Sequence, residues 1–322
     1  MKGHVVPFDA ASALWQFAAK HAWEYLRGNH TPALIEWAHF LNYLRSICRW
    51  DLRVYMDGME NVEKRPEIER RNAAVAEAEV HNSLIGQIRN TPDYIAKAVN
   101  VCKFLGIEVY VSAYEADPQV SFVSLSNGLI AVTGDSDLLA YGVARKLILV
   151  KGFLHEWYRV IDLDANTTAG EYPLLDLYEN HGKVVFQLYA GCRGCDFTNT
   201  RSGIQGLGFK KFIALAVKVE GGFTPKSLAA VLWEYENDIA SKNGFESADD
   251  VENYLQRIVD VYSKGQVYDK ESNIINMSIS SGSSISKATT LSEKHMAGEV
   301  NSQTKEQHPD ILANEVKNMD CS

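Results

Sequence analysis

The chain opens on a short apolar run, His4-Val-Val-Pro-Phe8, that stops at Asp9 and then changes period. Across 10–27, Leu14, Trp15, Phe17, Ala18 and Trp23 recur at helical spacing, so a strand is followed by a helix. A second amphipathic stretch, 32–49, leads to an apolar run from Leu52 to Met56 that again stops at an aspartate, Asp57. From 60 to 81 the sequence is highly charged and helix-favouring. Asn90-Thr-Pro92 breaks it, and a helix over 92–105 precedes a strand from Ile107 to Val111. A helix opening near Glu115, a strand Leu129–Val132 before Asp135, a short helix and a strand Lys146–Val150 complete the alternation. Beyond Glu171 only helical periods remain, over 171–180, 183–191, 208–219, 226–236 and 247–263. Past 264 the composition turns to Ser, Thr, Asn and Lys without a period.

Strands that alternate with helices predict an α/β fold with a mostly parallel central sheet and helices on both faces. The expected organisation is a core over 1–170, with 60–105 standing off it as a charged helical segment. A helical lobe over 171–263 and an unstructured tail over 264–322 follow. No run of 18 apolar residues occurs and the N-terminus carries no secretory pattern, so neither membrane association nor export is expected. A reducing intracellular compartment is the expectation. Of five cysteines, Cys192 and Cys195 form a C-x-x-C that suits half a zinc site or a redox pair. No second Cys/His pair completes four ligands, and no zinc is assigned.

The acids fall where chemistry is expected. Ligands of open parallel sheets bind outside the carboxyl ends of the strands, and Asp9, Asp57, Glu115/Asp117 and Asp135/Asp137 all stand just past such ends. Asp196, from the lobe, completes a ring. Carboxylates gathered this way raise one another's pKa unless cations hold them, and oxygen-only donors suit Mg²⁺ or Mn²⁺. Two such ions can activate water and stabilise the leaving oxygen of a phosphodiester. Helix capping competes as an explanation for Asp9 or Asp57 alone, but it does not account for the pairs Glu115-Ala-Asp117 and Asp135-Ser-Asp137. A D-x-D after a strand also occurs in aspartate-nucleophile phosphatases; Leu138-Leu139 stands where those enzymes carry small or hydroxyl residues.

Several stretches resemble the flap-endonuclease family of 5′ nucleases, which includes flap endonuclease, exonuclease-one and XPG-type enzymes of PIN-like fold. They are Phe104-Leu-Gly-Ile, Tyr114-Glu-Ala-Asp-Pro-Gln119, Thr133-Gly-Asp-Ser-Asp-Leu-Leu-Ala-Tyr-Gly142, Gly194-Cys-Asp-Phe197 and Ile204-Gln-Gly-Leu-Gly-Phe-Lys-Lys211. The wording is most similar to the exonuclease-one branch, and the likeness spans roughly 4–220. It implies that Asp9, Asp57, Glu115, Asp117, Asp135, Asp137 and Asp196 hold two Mg²⁺, with Mn²⁺ able to substitute. It further implies that Lys64 and Arg71, seven and fourteen residues after Asp57, hold the scissile phosphate. Spaced so, they share a helix face; a solvated face among Glu63, Glu67 and Glu69 is the plainer alternative. Trp15 matches an aromatic that stacks on an unpaired base, against the alternative of a core tryptophan. Gly206, Gly208, Lys210 and Lys211 match a helix-two-turn-helix that grips duplex phosphates and in the family also takes K⁺.

The net charge of −9 argues against DNA binding at first sight. Setting aside the seven metal acids leaves −2, a chain near neutral that can carry local basic patches. Against the family pattern the chain is short of an opening Met-Gly segment, and 72–105 is shorter than a flap-endonuclease arch and poor in Lys and Arg. The resemblance therefore implies a monomeric, nuclear, structure-specific nuclease acting on DNA with 5′ flaps, nicks or ends; a mitochondrial location fits the sequence as well. A non-catalytic junction-binding scaffold and a PIN-type ribonuclease are the competing expectations.

Overall fold

Alternation along each strand sets the architecture of the core. Six strands make one sheet: β1 (His4–Asp9), β2 (Trp50–Met56), β3 (Glu108–Val111), β4 (Ala131–Thr133), β5 (Lys146–Gly152) and β6 (Trp157–Asp162). Their order is β3-β2-β1-β4-β5-β6, with β1 to β5 parallel and β6 antiparallel to β5. The computed structural model describes residues 4–59, 64–80, 83–144, 146–152, 157–163, 172–198, 203–269 and 274–277.

Neighbouring residues on a strand point to opposite faces, and both faces are buried. Val54, Met56, Val109 and Val132 pack into one apolar cluster with α1 (Ala11–Lys20), α3 (Thr31–Ser46) and α5 (Pro92–Phe104). Their partners one position away, Tyr55, Tyr110 and Ala131, enter a second cluster with α6 (Ala116–Asn127) and α7 (Leu138–Tyr141). Near-continuous apolar strands are what a doubly covered parallel sheet requires. The short helix α2 (Ala22–Leu26) follows α1.

The stretch 60–105 does not stand off the core as a unit. Among its described residues α4 (Arg65–Val80) and a single 3₁₀ turn, Ile85–Gln87, bury no apolar side chain in the core, whereas α5 does. The reason is the next helix: Thr91 caps α5, accepting from the Tyr94 amide at 3.3 Å. Tyr94, Ala98, Val101 and Cys102 then bury a full stripe against the sheet layer.

The lobe comprises α8 (Pro173–His181), α9 (Val184–Arg193), α10 (Phe209–Ala216), α11 (Pro225–Lys242) and α12 (Ala248–Ser263). Leu188, Phe212, Leu228, Leu232 and Leu255 form its own core. A further cluster, including Tyr141, Phe186, Phe197, Ile258 and Tyr262, joins lobe to sheet domain. The stretch from 264, expected to lack structure, instead pairs β7 (Gln266–Tyr268) with β8 (Ile274–Asn276) antiparallel. Val267 and Met277 are buried in the joining cluster. The Gln119 side chain pairs with both main-chain groups of Tyr268, at 3.1 and 2.7 Å. Residues 278–322 lie outside the described residues.

Candidate active site

The strand order reverses between β1 and β4, and the carboxyl ends there form the switch-point crevice of a doubly wound sheet. Asp9 ends β1, Asp57 follows β2, and Glu115 and Asp117 open α6. Asp135 and Asp137 lie between β4 and α7, and Asp196 follows α9. Electrostatic coupling links the seven in a chain of neighbours: Asp9 feels Asp57 and Asp135, Asp117 feels Asp9, Asp135 and Glu115, and Asp137 feels Asp135 and Asp196.

Capping explains part of this placement and leaves the rest. Asp9 accepts from the Ala11 amide at 3.0 Å through Oδ1 and from Thr133 Oγ1 at 2.8 Å through Oδ2. Thr133 Oγ1 in turn accepts from the Asp135 amide at 3.0 Å, so one hydroxyl ties the ends of β1 and β4. Asp57 Oδ1 accepts from Ala116 N at 2.9 Å, and Asp135 Oδ1 from Asp137 N at 3.0 Å. Gly58 makes the Asp57 placement possible, since a Cβ there would overlap the Ser112 carbonyl. By contrast Glu115 Oε2 and Asp117 Oδ1 are buried with no hydrogen-bond partner.

Buried, unpartnered carboxylate oxygens are costly when ionised, and four of the acids are shifted upward. Burial, with Asp57 adding repulsion, pushes Asp9 up to about 7. Burial and then Asp135 push Asp137 to about 7, and burial with Asp9 and Asp135 carries Asp117 well above the carboxylate range. Burial raises Glu115 as well, and Lys64 only partly offsets it. Burial would raise Asp196 too, but Lys64 and Arg71 hold it below its ordinary value.

Both expected cations therefore reach the cluster. Lys64 Nζ lies 2.6 Å from Glu115 Oε1 and 2.9 Å from Asp196 Oδ2, with its side chain 14% exposed. Arg71 donates to both oxygens of Asp196 at 3.0 and 3.1 Å, and through Nε to Glu67 at 2.6 Å. They meet on Asp196, Lys64 from just before α4 and largely buried, Arg71 from within it and still 60% exposed. Glu63 lies outside the described residues. Among the described residues no group of three or more His, Cys, Asp or Glu side chains is set to hold a metal ion as the side chains stand; Lys64 reaches in among them instead. The donor chemistry nevertheless fits a hard divalent cation, since every donor is a carboxylate oxygen and two of those oxygens are orphaned.

The remaining candidates lie elsewhere. Trp15 is 41% exposed, and its indole donates to the Ile88 carbonyl at 3.2 Å, so it is not a core tryptophan. In the lobe, Gly206 adopts φ +91° in the turn before α10, and Gly208 caps that helix. Lys210 and Lys211 are exposed on its first turn, Lys211 paired with Glu236 at 2.9 Å. Gly203, which the motif reading did not single out, is required more strictly. It adopts φ +57°, and a Cβ there would meet the backbone of Gly191, Cys192 and Gly194. The Asn243 side chain pins the other side of the turn, bonding Gln205 N and O at 2.7 and 2.9 Å. Cys192 and Cys195 are free, and burial pushes both thiols up, Cys195 to about 12, so neither offers a thiolate near neutral pH.

Sequence reasoning also missed Thr133, Glu67 and Tyr262, whose hydroxyl donates to Asp137 Oδ2 at 2.8 Å. Thr133 was within reach as a hydroxyl two residues before an acid. Nothing in the local pattern marks the other two.

Solved structures share this fold. The catalytic core of Rad2 in complex with DNA substrate matches in two complexes, each with a TM-score of 0.56. Identity is 17% over 83% of this chain and 81% of that one in the first, and 19% over 85% and 83% in the second. Human GEN1 in complex with Holliday junction DNA matches at a TM-score of 0.51 and 16% identity, over 79% of this chain and 61% of that one. At these identities the likeness is one of fold. No family model matches the chain, and no curated protein does.

Proposed function

We propose that this chain is a structure-specific 5′ nuclease of the flap-endonuclease, exonuclease-one and XPG-type family, hydrolysing DNA phosphodiesters with divalent metal. One observation carries the proposal: acids from five separate segments, among them two orphaned oxygens, gather at the switch-point crevice. That the fold is shared with two proteins solved on DNA supports it.

Asp9, Asp57, Glu115, Asp117, Asp135, Asp137 and Asp196 would hold two Mg²⁺, which when bound would activate water and stabilise the leaving oxygen. The chain's own residues do the rest. Thr133 and the amides of Ala11, Ala116 and Asp137 fix the carboxylates before substrate arrives, which is what preorganised electrostatic catalysis needs. Lys64 and Arg71 bring positive charge to the same point, and on binding DNA they exchange carboxylate partners for the scissile phosphate. Trp15, exposed on α1, offers an aromatic face for an unpaired base. The α9–turn–α10 unit serves as the helix-two-turn-helix, with Lys210, Lys211 and the α10 N-terminus on duplex phosphates. Specificity then comes from DNA shape.

The test is cleavage of end-labelled 5′-flap, nicked, blunt and single-stranded DNA, with matched RNA, in Mg²⁺, Mn²⁺ or EDTA. Metal-dependent DNA products are expected, and their lengths separate flap cutting from stepwise 5′ degradation. Shape-selective binding with no product on any DNA would instead identify a junction-binding scaffold.

A further inference from the structure

Tyr262 lies near the end of α12, far along the chain from the acidic motifs, and is fully buried. Its hydroxyl donates to Asp137 Oδ2 at 2.8 Å. Its ring packs edge-on against Tyr141 of α7, with centroids 4.9 Å apart, and against Phe197, at 5.2 Å. Tyr141 belongs to the helix that Asp137 caps, and Phe197 follows Asp196. One side chain thus touches the neighbourhoods of the two acids contributed by different domains.

An aspartate rotates broadly about its terminal torsion, so a ligand carboxylate needs something to fix it. Asp9 is held through both oxygens, and Asp57 and Asp135 each through one backbone amide. For Asp137 the Tyr262 hydroxyl is what supplies this hold. Tyr262 in turn cannot drift. Val251, Leu255 and Ile258 of the same helix are buried, and behind it Gly265 fits against Pro118 and Tyr141 so closely that a Cβ would press on both, at 2.9 and 3.1 Å. The hairpin that follows is tied to α6 through Gln119, two residues past Asp117.

We propose that Tyr262 is a positioning residue for Asp137, fixing one carboxylate oxygen so that the other is presented to the cation, and that α12 is thereby part of the nuclease machinery. This rests on the metal-nuclease reading above. Partners that orient metal ligands are worth about 10–100-fold in metal affinity or activity when removed.

The experiment is Tyr262→Phe, which keeps the ring contacts and removes only the hydroxyl. Mn²⁺ binding to the full chain is measured without DNA by electron paramagnetic resonance, beside the melting temperature and steady-state cleavage. We expect Mn²⁺ affinity to fall about tenfold, with the melting temperature within about two degrees of wild type. The loss of kcat at limiting Mn²⁺ should recover at excess Mn²⁺, with KM for DNA unmoved. Unchanged Mn²⁺ affinity in the folded variant overturns the proposal, as does a lower melting temperature with Mn²⁺ affinity intact. Wild-type protein that binds no Mn²⁺ and cleaves no DNA overturns the nuclease reading itself, an outcome distinct from a variant that matches an active wild type.

Discussion

Helices α4 and α12 are each sixteen residues long and both touch the acidic cluster, yet they are held by different physics. The α12 stripe Val251, Leu255, Ile258 and Tyr262 is wholly buried, Ser247 caps it by accepting from the Asp250 amide at 3.2 Å, and two acids sit in its first turn. Helices in proteins owe most of their stability to such a face. Among the described side chains of α4 only one is buried, and it is charged: Glu67, paired with Arg70 and Arg71. What ties this end of the chain to the site is Lys64 and Arg71 on Asp196. The lesson is a division of labour. One helix is held beside the site by burial and the other by charge, so a cation or phosphate entering the cluster is expected to act on the second more than on the first.

Removing the cluster both helices serve should have the largest effect. Asp135→Ala is expected to lower cleavage by about three orders of magnitude, the several kcal/mol that metal charge supplies, while DNA affinity stays within about twofold. Retained cleavage in quench-flow assays would count against the assignment of these acids to metal.

Next in size are two substitutions that set the helices against each other. Leu255→Ala in α12 should cost about 2–5 kcal/mol in denaturant unfolding, as deleting a fully buried leucine does. Arg71→Ala, on a side chain 60% exposed, should change stability by less than about 1 kcal/mol. It should nonetheless lower kcat about 100-fold, as losing one transition-state donor does. Hydrogen exchange should rise across 65–80 in Arg71→Ala and across the whole lobe in Leu255→Ala. If Arg71→Ala unfolds the protein as readily as Leu255→Ala, the division fails.

Much of this was legible in the sequence, and the misses have a common cause. Apolar strands ending in acids, and stripes such as Tyr94-Ala98-Val101, report local burial directly, so the sheet domain and the lobe helices emerge from period alone. So do the positions of Asp9, Asp57, Asp135 and Asp137, because a parallel sheet fixes which strand ends meet. What period does not encode is contact between segments far apart in sequence. Strand β6 begins five residues after β5 ends and pairs with it antiparallel, so a strand–helix alternation passes over it. The hairpin at 266–276 sits in a polar stretch and is recognised only through Gln119, and Tyr262 reads as one more stripe position until its hydroxyl is seen on Asp137. Lys64 was legible as a cation at the right offset, but its pairing with Glu115 needed the fold.

The smallest expected effect is the dependence of stability on pH, and it sharpens the same contrast. Burial is the main cause that pushes Asp9 and Asp137 up to about 7 in the folded protein from ordinary values of 3.8, and it raises Asp117 as well. Between pH 4 and 7 the folded state therefore binds more protons than the unfolded chain. Stability from these groups is full at low pH and is lost as pH rises through about 7. In EDTA the melting temperature should fall as pH rises from 5 to 7, where the folded state holds the extra protons, and level off above that. Mg²⁺ should flatten or reverse that slope, because a cation replaces the protons and favours the ionised acids. The contrast between the helices adds a spatial signature. Raising pH in EDTA leaves newly ionised Asp117 and Asp137 facing Lys64, which shares Asp196 with Arg71, so hydrogen exchange in 65–80 should slow relative to α12. Mg²⁺ at the same pH should release those two side chains and speed exchange in 65–80 again. A pH-independent melting temperature in EDTA would mean that the acids are less buried, and stand farther apart, than this fold puts them.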